Sequence, residues 1–354
     1  MIIYLLIFIL TATVAFAEVF GKEMRVEVKF GIMALYTIFL ICFVGFRDCG
    51  FDYDSYKYYY DVLHSSLWQN NAEYLMVEKG YALLNYVMPS FRLLYVLFAI
   101  LSCTMLSSYL YRNSYYPMLS HFLLLGVLVY LYFMGQYRQG LAIAIVLPAL
   151  VCMNKMRRLM LILLATMVHN SAFIALLSFF VPKNYIKGRY YLMLLMAALV
   201  VNIGMTNIFT QYIGIFPEFI SQKLEFYSES EEGLRFGLNL AMLLRLTVFF
   251  IFYLYRHEIE KNEGGTLLFN YYFLSMLIYL GLGFLPQLSG RGSIYFYISE
   301  VILIPMVLYG IPNLKQKAMV FAFFLLIGTY RQVSFFRTAG EEFLPYKSVI
   351  SKIF

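Results

Sequence analysis

Charge is scarce in this chain. Asp, Glu, Lys and Arg make up 13% of its 354 residues, where a soluble domain carries about 25%. With 62% hydrophobic residues, that shortage excludes a soluble enzyme. A mean hydropathy of +0.73 identifies an integral membrane protein, and apolar runs of about 20 residues recur from end to end. Cysteine is also sparse. Cys42, Cys49, Cys103 and Cys152 lie far apart without metal-ligand spacing and read as small hydrophobic side chains. There is no glycine-rich nucleotide loop, catalytic serine motif or paired-cysteine signature. No linker, low-complexity tract or internal repeat interrupts the sequence, so residues 1–354 read as one polytopic domain. The formal charge of +7 is what basic cytoplasmic loops produce, and it calls for no nucleic acid.

No Lys or Arg precedes Lys22, so the basic start of a signal peptide is missing despite Ala15-Phe16-Ala17. Residues 2–17 are expected to be an uncleaved first helix. Lys22, Arg25 and Lys29 after it put the N-terminus outside and that loop inside. Further spans are expected at about 30–46, 92–110, 117–134, 138–153, 190–208, 237–255, 266–286, 293–310 and 318–335. The stretch from Arg158 to Val181 has His169-Asn170-Ser171 at its centre and basic clusters at both ends. Lys/Arg totals on the two sides barely discriminate, but two short helices meeting at His169 keep both clusters inside. Such a break is tolerated where it lines a cavity. The expectation is an all-α fold of about ten full spans plus a broken-helix hairpin, with outer loops at about 47–91 and 209–236.

That topology gathers polar residues on the outer face. Arg138 opens an apolar helix, where free N–H groups, the helix dipole and a guanidinium suit a phosphate or diphosphate. Arg291, in Ser289-Gly290-Arg291-Gly292 ahead of Tyr295 and Tyr297, repeats the arrangement. An arginine at the membrane edge that meets lipid headgroups fits either position as well. His169 suits proton transfer near neutral pH, or a structural bond to a backbone carbonyl at the break. Glu300 is expected about 10 Å below its helix end by helical rise, paired with Arg245. Asp52-Tyr53-Asp54 has the spacing that holds a divalent cation in many glycosyltransferases, a three-residue signal that arises often by chance. A second reading has Asp48 or Asp52 positioning Arg47 and hydroxyl groups. Tyr53, Tyr56, Tyr58, Tyr59 and Tyr60 fit sugar stacking or an interfacial aromatic belt. Nucleotide sugars are cytosolic, so an outward-facing enzyme would draw on a lipid-activated donor.

Phe46-Arg47 followed by Gly50-x-Asp52-x-x-x-Tyr56 resembles the first outer-loop motif of the EpsG-like, Wzy-type polymerases of bacterial exopolysaccharide and O-antigen. Glu78-Lys79-Gly80-Tyr81-Ala82-Leu83-Leu84, Arg138-Gln139-Gly140-Leu141-Ala142 and His169-Asn170-Ser171-Ala172 follow in order. Arg291 with its downstream aromatics and Leu344-Pro345-Tyr346 complete the series. Lys79 departs from the proline or small residue of many relatives. The resemblance implies a GT-C-like fold in the bacterial inner membrane, with an active site facing the periplasm or exterior. Donor and acceptor would be oligosaccharide repeat units on undecaprenyl diphosphate, with no metal or other cofactor, and a chain-length regulator protein as a further partner. Arg138 and Arg291, then Arg47, would stabilise the departing diphosphate. Asp52 or His169 would accept the hydroxyl proton, and Tyr56, Gln139, Tyr295 and Tyr346 would contact substrate. An O-antigen ligase, or a transporter or flippase for the same lipid-linked sugars, is the alternative. Transport would call for charges along a pathway and inverted repeats, which the sequence lacks.

Overall fold

The computed structural model describes residues 1–65, 77–212 and 239–349, with backbone alone for 206–212 and for Pro286. Every named element among them is helical. The outer loop expected at 209–236 lies outside the described residues from 213 onward. Among the described residues six helices are long and apolar enough to cross a membrane, and a pair bent by 41° at Ile298–Ser299 makes a seventh if taken as one span. The expected ten full spans are not reached among the described residues. Tyr137–Val151, Leu240–Leu254 and Gly265–Gly281 are apolar but hold only 15, 15 and 17 residues. At the helical rise, 15 residues extend about 22 Å, less than the roughly 30 Å hydrocarbon layer.

The first of two compact units comprises Met1–Leu176 and Ile304–Phe354. It begins with α1 (Ile2–Phe20) and α2 (Val26–Gly45). The short α3 (Tyr53–Ser65) and α4 (Lys79–Val87) lead to α5 (Phe91–Asn113). Next, α6 (Pro117–Leu124) runs directly into a π-helical stretch, Leu125–Gly135. This continuous helix is apolar all round, as burial on every side requires, and all of α6 is buried. The antiparallel pair α7 (Tyr137–Val151) and α8 (Lys155–Val168) packs beside it. The unit closes with the helix Leu314–Phe343, whose Gly328 admits the Phe122 ring so closely that a Cβ would stand 2.5 Å from it.

Two clasps fix the ends of this bundle. At one end, the Tyr4 hydroxyl donates to the Phe343 carbonyl at 3.1 Å, and its ring meets Phe43, Tyr130 and Tyr346 edge-on. At the other, Glu18 accepts the free N–H groups of Met118 (2.8 Å) and Leu119 (3.3 Å) at the head of α6. A carboxylate there satisfies donors that a helix start leaves open. Lys29 reaches the Tyr115 carbonyl at this second end, where Tyr115 stacks on Tyr309.

The expected break at His169 is present: α8 ends at Val168 and a 3₁₀ helix, Asn170–Phe179, follows. The second unit, Leu177–Leu303, contains α9 (Gly188–Tyr212), α10 (Leu240–Leu254), α11 (Arg256–Glu260), α12 (Gly265–Gly281) and α13 (Pro286–Tyr297). Its core packs α12 against α9, α10 and α13.

Candidate functional site

The loop after α2 is fixed from beneath by Arg47, which has no exposed surface. Its Nε donates to the Cys49 carbonyl (3.0 Å), Nη1 to that of Val44 (2.6 Å) and Nη2 to that of Met134. Its guanidinium carbon lies 4.5 Å from the Tyr95 ring centroid. Every hydrogen-bond partner is backbone, so Arg47 ties this loop to the end of the central helix. The structure gives it the position of a clamp rather than of a catalyst. Asp48 pairs with Arg92, not Arg47, and accepts the Tyr53 hydroxyl at 3.0 Å. Gly50 sits at φ +119°, with Met134 O only 2.6 Å from where a Cβ would stand, so no other residue fits there.

The C-terminal segment completes the same wall. Asp48 N–H donates to Lys347 O (2.8 Å), Gly50 N–H to Glu342 O (2.9 Å) and Val349 N–H to Phe46 O (2.9 Å). Tyr346, expected to touch substrate, stacks on Phe43 (centroids 4.9 Å apart) and donates to its carbonyl at 2.8 Å. It is a packing residue here. Asp52 is exposed at φ +57°, and its carbonyl accepts Tyr56 N–H at 2.8 Å. It stands at the head of α3.

The sequence-predicted residues that do come together are Arg138, His169 and Tyr56, and Glu78 brings them there. Arg138 lies in the first turn of α7, as its position ahead of an apolar run predicts. Its Nη1 donates to Glu78 Oε2 at 2.8 Å. The other carboxylate oxygen accepts Asn170 N–H at 3.0 Å, and His169 Nδ1 also lies 3.0 Å from it, off the axis of an ideal hydrogen bond. Three tyrosine rings surround the guanidinium: Tyr81 at 4.8 Å, Tyr56 at 5.3 Å and Tyr59 at 6.0 Å. Tyr137 packs on Tyr56 at 4.1 Å and shares a 2.8 Å hydrogen bond with the Tyr81 hydroxyl. Gln139 is buried beside Arg138.

Close packing of α4 on α8 makes the convergence possible. A Cβ on Gly80 would stand 2.7 Å from the Met167 carbonyl, so glycine lets Glu78 reach the end of α8. Burial alone would push the Glu78 carboxyl up, but the His169 ring, the Arg138 charge and Asn170 N–H outweigh it and hold it at about 2. Glu78 is therefore ionised at neutral pH. Side-chain exposures of 18% for Arg138, 15% for His169 and 7% for Glu78 leave the first two reachable from outside. Arg138 Nε is buried and makes no hydrogen bond among the described residues. A buried donor in that condition marks a place for an oxygen acceptor.

Glu78 and Tyr81 complete the site without having been assigned a role from sequence. The signal for Glu78 was its place before Lys79-Gly80, an acid two residues ahead of a glycine. In the second unit, α13 starts at Pro286, so Arg291 occupies its second turn and the argument from a helix N-terminus does not apply to it. Tyr295 is fully buried in that unit. The pair expected between Arg245 and Glu300 is also corrected. Arg245 donates to Ser293 Oγ and lies between the rings of Tyr279 and Tyr297. No group of three His, Cys, Asp or Glu side chains close enough for a metal ion is found among the described residues.

No curated protein and no solved structure matches this chain. The model of the EpsG family matches residues 31–348, nearly the whole length, and the chain with its Glu78–Arg138–His169 site belongs to that family.

Proposed function

We propose that this membrane protein is a glycosyltransferase that polymerises oligosaccharide repeat units carried on undecaprenyl diphosphate, making O-antigen, capsule or exopolysaccharide. The observation that carries the reading is one carboxylate, Glu78, holding an arginine and a histidine side by side. In the reaction a sugar hydroxyl attacks the anomeric carbon of the growing chain and the bond to the diphosphate oxygen breaks. Charge builds on that leaving group. Arg138 would stabilise it with the donors that Glu78 does not occupy, helped by the open N–H groups of the first turn of α7.

His169 is the base in this reading. A carboxylate beside Nδ1 favours the proton on that nitrogen, leaving the Nε2 lone pair to take the hydroxyl proton. Tyr56, Tyr59 and Tyr81 offer π faces to sugar rings around the reacting centre. Asp52, Arg291, Gln139 and Tyr295 are given no step in this reading. A GT-C-like fold and a chain-length regulator as partner belong to the same reading.

The site faces the periplasm or exterior of a bacterial inner membrane in this proposal. Support comes from the helix ends of the first unit away from the site, which carry Lys22, Arg25, Lys29, Lys155, Arg157, Lys315 and Lys317, the charge expected of a cytoplasmic side. Replacing Arg138 with alanine should leave single repeat units and no long polymer, at normal protein levels. Normal chain length in that variant would end the proposal. Long polymer accumulating on the lipid carrier would reassign the protein as a ligase.

A further inference from the structure

The second unit contains a buried arginine with no carboxylate against it among the described residues. Arg245 lies on the inward stripe of α10 with Met242, Val248 and Phe252, and is 9% exposed. Its Nη1 donates to Ser293 Oγ at 3.2 Å. Its guanidinium carbon is 4.2 Å from the Tyr279 ring centroid and 4.1 Å from that of Tyr297. Among the described residues these are its side-chain partners. Aromatic faces attract a cation through their quadrupole but carry no net charge, and neither does a hydroxyl. The positive charge of Arg245 is held in place and meets no countercharge among the described residues.

Hydrogen bonds to backbone and side chains hold the walls of the cage. Tyr272 OH donates to the Arg245 carbonyl at 3.1 Å, which fixes the backbone of α10 there. Asn239, the N-cap of α10, exchanges hydrogen bonds with the Tyr279 hydroxyl at 2.9 and 3.2 Å. Ser289 Oγ donates to the Tyr279 carbonyl at 2.9 Å. Ser293 and Tyr297 stand one turn apart on α13 and so reach Arg245 from one face. One turn before Ser293, a Cβ on Gly290 would meet nothing within 4 Å, so the cage borders open space.

The setting selects the anion. Arg245 is the sixth residue of α10, about 8 Å from its first by helical rise. On the opposite face of that helix Leu243, Phe250 and Leu254 are all more than half exposed, an apolar surface suited to lipid chains. Near the start of a lipid-facing helix the anions a membrane offers are headgroup phosphates. A guanidinium fork matches two phosphate oxygens and so suits such a headgroup. We propose that Arg245, Ser293 and the Tyr279 and Tyr297 rings form a binding site for a phosphate-bearing lipid headgroup. It does not rest on the polymerase reading.

Calorimetric titration of the full-length protein in neutral detergent tests this with three probes: dihexanoyl phosphatidic acid, dihexanoyl glycerol and inorganic phosphate. Dihexanoyl phosphatidic acid should bind saturably, with dihexanoyl glycerol silent and inorganic phosphate at least about tenfold weaker. Arg245→Gln should weaken the phosphatidic acid site by about tenfold or more, Arg245→Lys less, and Ser293→Ala by a few-fold. A melting curve checks each variant's fold. If Arg245→Gln does not fold, Arg245→Lys and Ser293→Ala decide the matter. Unchanged phosphatidic acid binding in the folded variants overturns the site, as does equal binding of dihexanoyl glycerol. Inorganic phosphate binding as tightly as the lipid, with the same dependence on Arg245, overturns the lipid and leaves a site for soluble phosphate.

Discussion

Nη1 of Arg138 lies 2.8 Å from Oε2 of Glu78, fastening the first turn of α7 to the residue that precedes α4. The same carboxylate reaches the break after α8 through Asn170 N–H and His169. Three chain segments separated by up to 92 positions therefore meet at one side chain.

Replacing Glu78 with glutamine should be the most damaging neutral change at the site. It leaves the part-buried Arg138 charge without its carboxylate, which costs about 1–3 kcal/mol. Melting of the purified protein in detergent reads the loss, and polymer length on a gel should collapse to single repeats.

Acid should weaken the same junction. The Glu78 carboxyl is lowered from 4.5 to about 2, so its stabilisation is fully present above the unfolded value near 4.5 and is lost as pH falls toward 2. The shift corresponds to about 3 kcal/mol at neutral pH. Subtracting the melting temperatures of the glutamine variant from those of wild type should isolate a difference that shrinks across that window and stays level above it.

Gly80→Ala tests whether α4 must lie this close to α8. Its Cβ would stand 2.7 Å from the Met167 carbonyl, a backbone atom that cannot swing aside. Overpacking of this kind costs about 1–3 kcal/mol. Polymer synthesis should fall further than protein level does, because Glu78 is drawn away from Arg138 and His169.

Arg47→Lys separates a clamp from a catalyst. Lysine keeps the charge but cannot reach three carbonyls in fixed directions. Stability should drop by about 2–4 kcal/mol, with polymer falling only in proportion to surviving protein. Full expression with no polymer would restore a chemical role to Arg47.

Tyr346→Phe should be mild. It removes one hydrogen bond to Phe43 O and keeps the stacked ring. About 1 kcal/mol of stability is expected to go, with polymer length unchanged, whereas a substrate contact would show as shortened chains.

The helical membrane class, the break at His169 and the helix start at Arg138 were all legible in the sequence. Each follows from local chemistry: apolar runs, a polar triplet in an apolar stretch, and a charged residue at the head of such a run. The span count was less secure, because apolar composition alone does not separate a 15-residue helix packed in protein from one that crosses lipid. Arg291 shows a similar limit. Its glycines read as a loop, yet Pro286 starts α13 five residues earlier, as proline does at a first helical turn.

What the sequence by itself determined was which residue types lie near the ends of which helices. Only the tertiary structure decided their partners. Arg47, Arg138 and Arg245 are alike as arginines in or beside apolar runs, but one is spent on backbone carbonyls, one is paired with Glu78 and one is caged by tyrosines. The difference arises because a guanidinium in a low-dielectric interior takes whichever acceptors packing brings within about 3 Å. Those acceptors come from segments distant in the chain, so no local pattern encodes them.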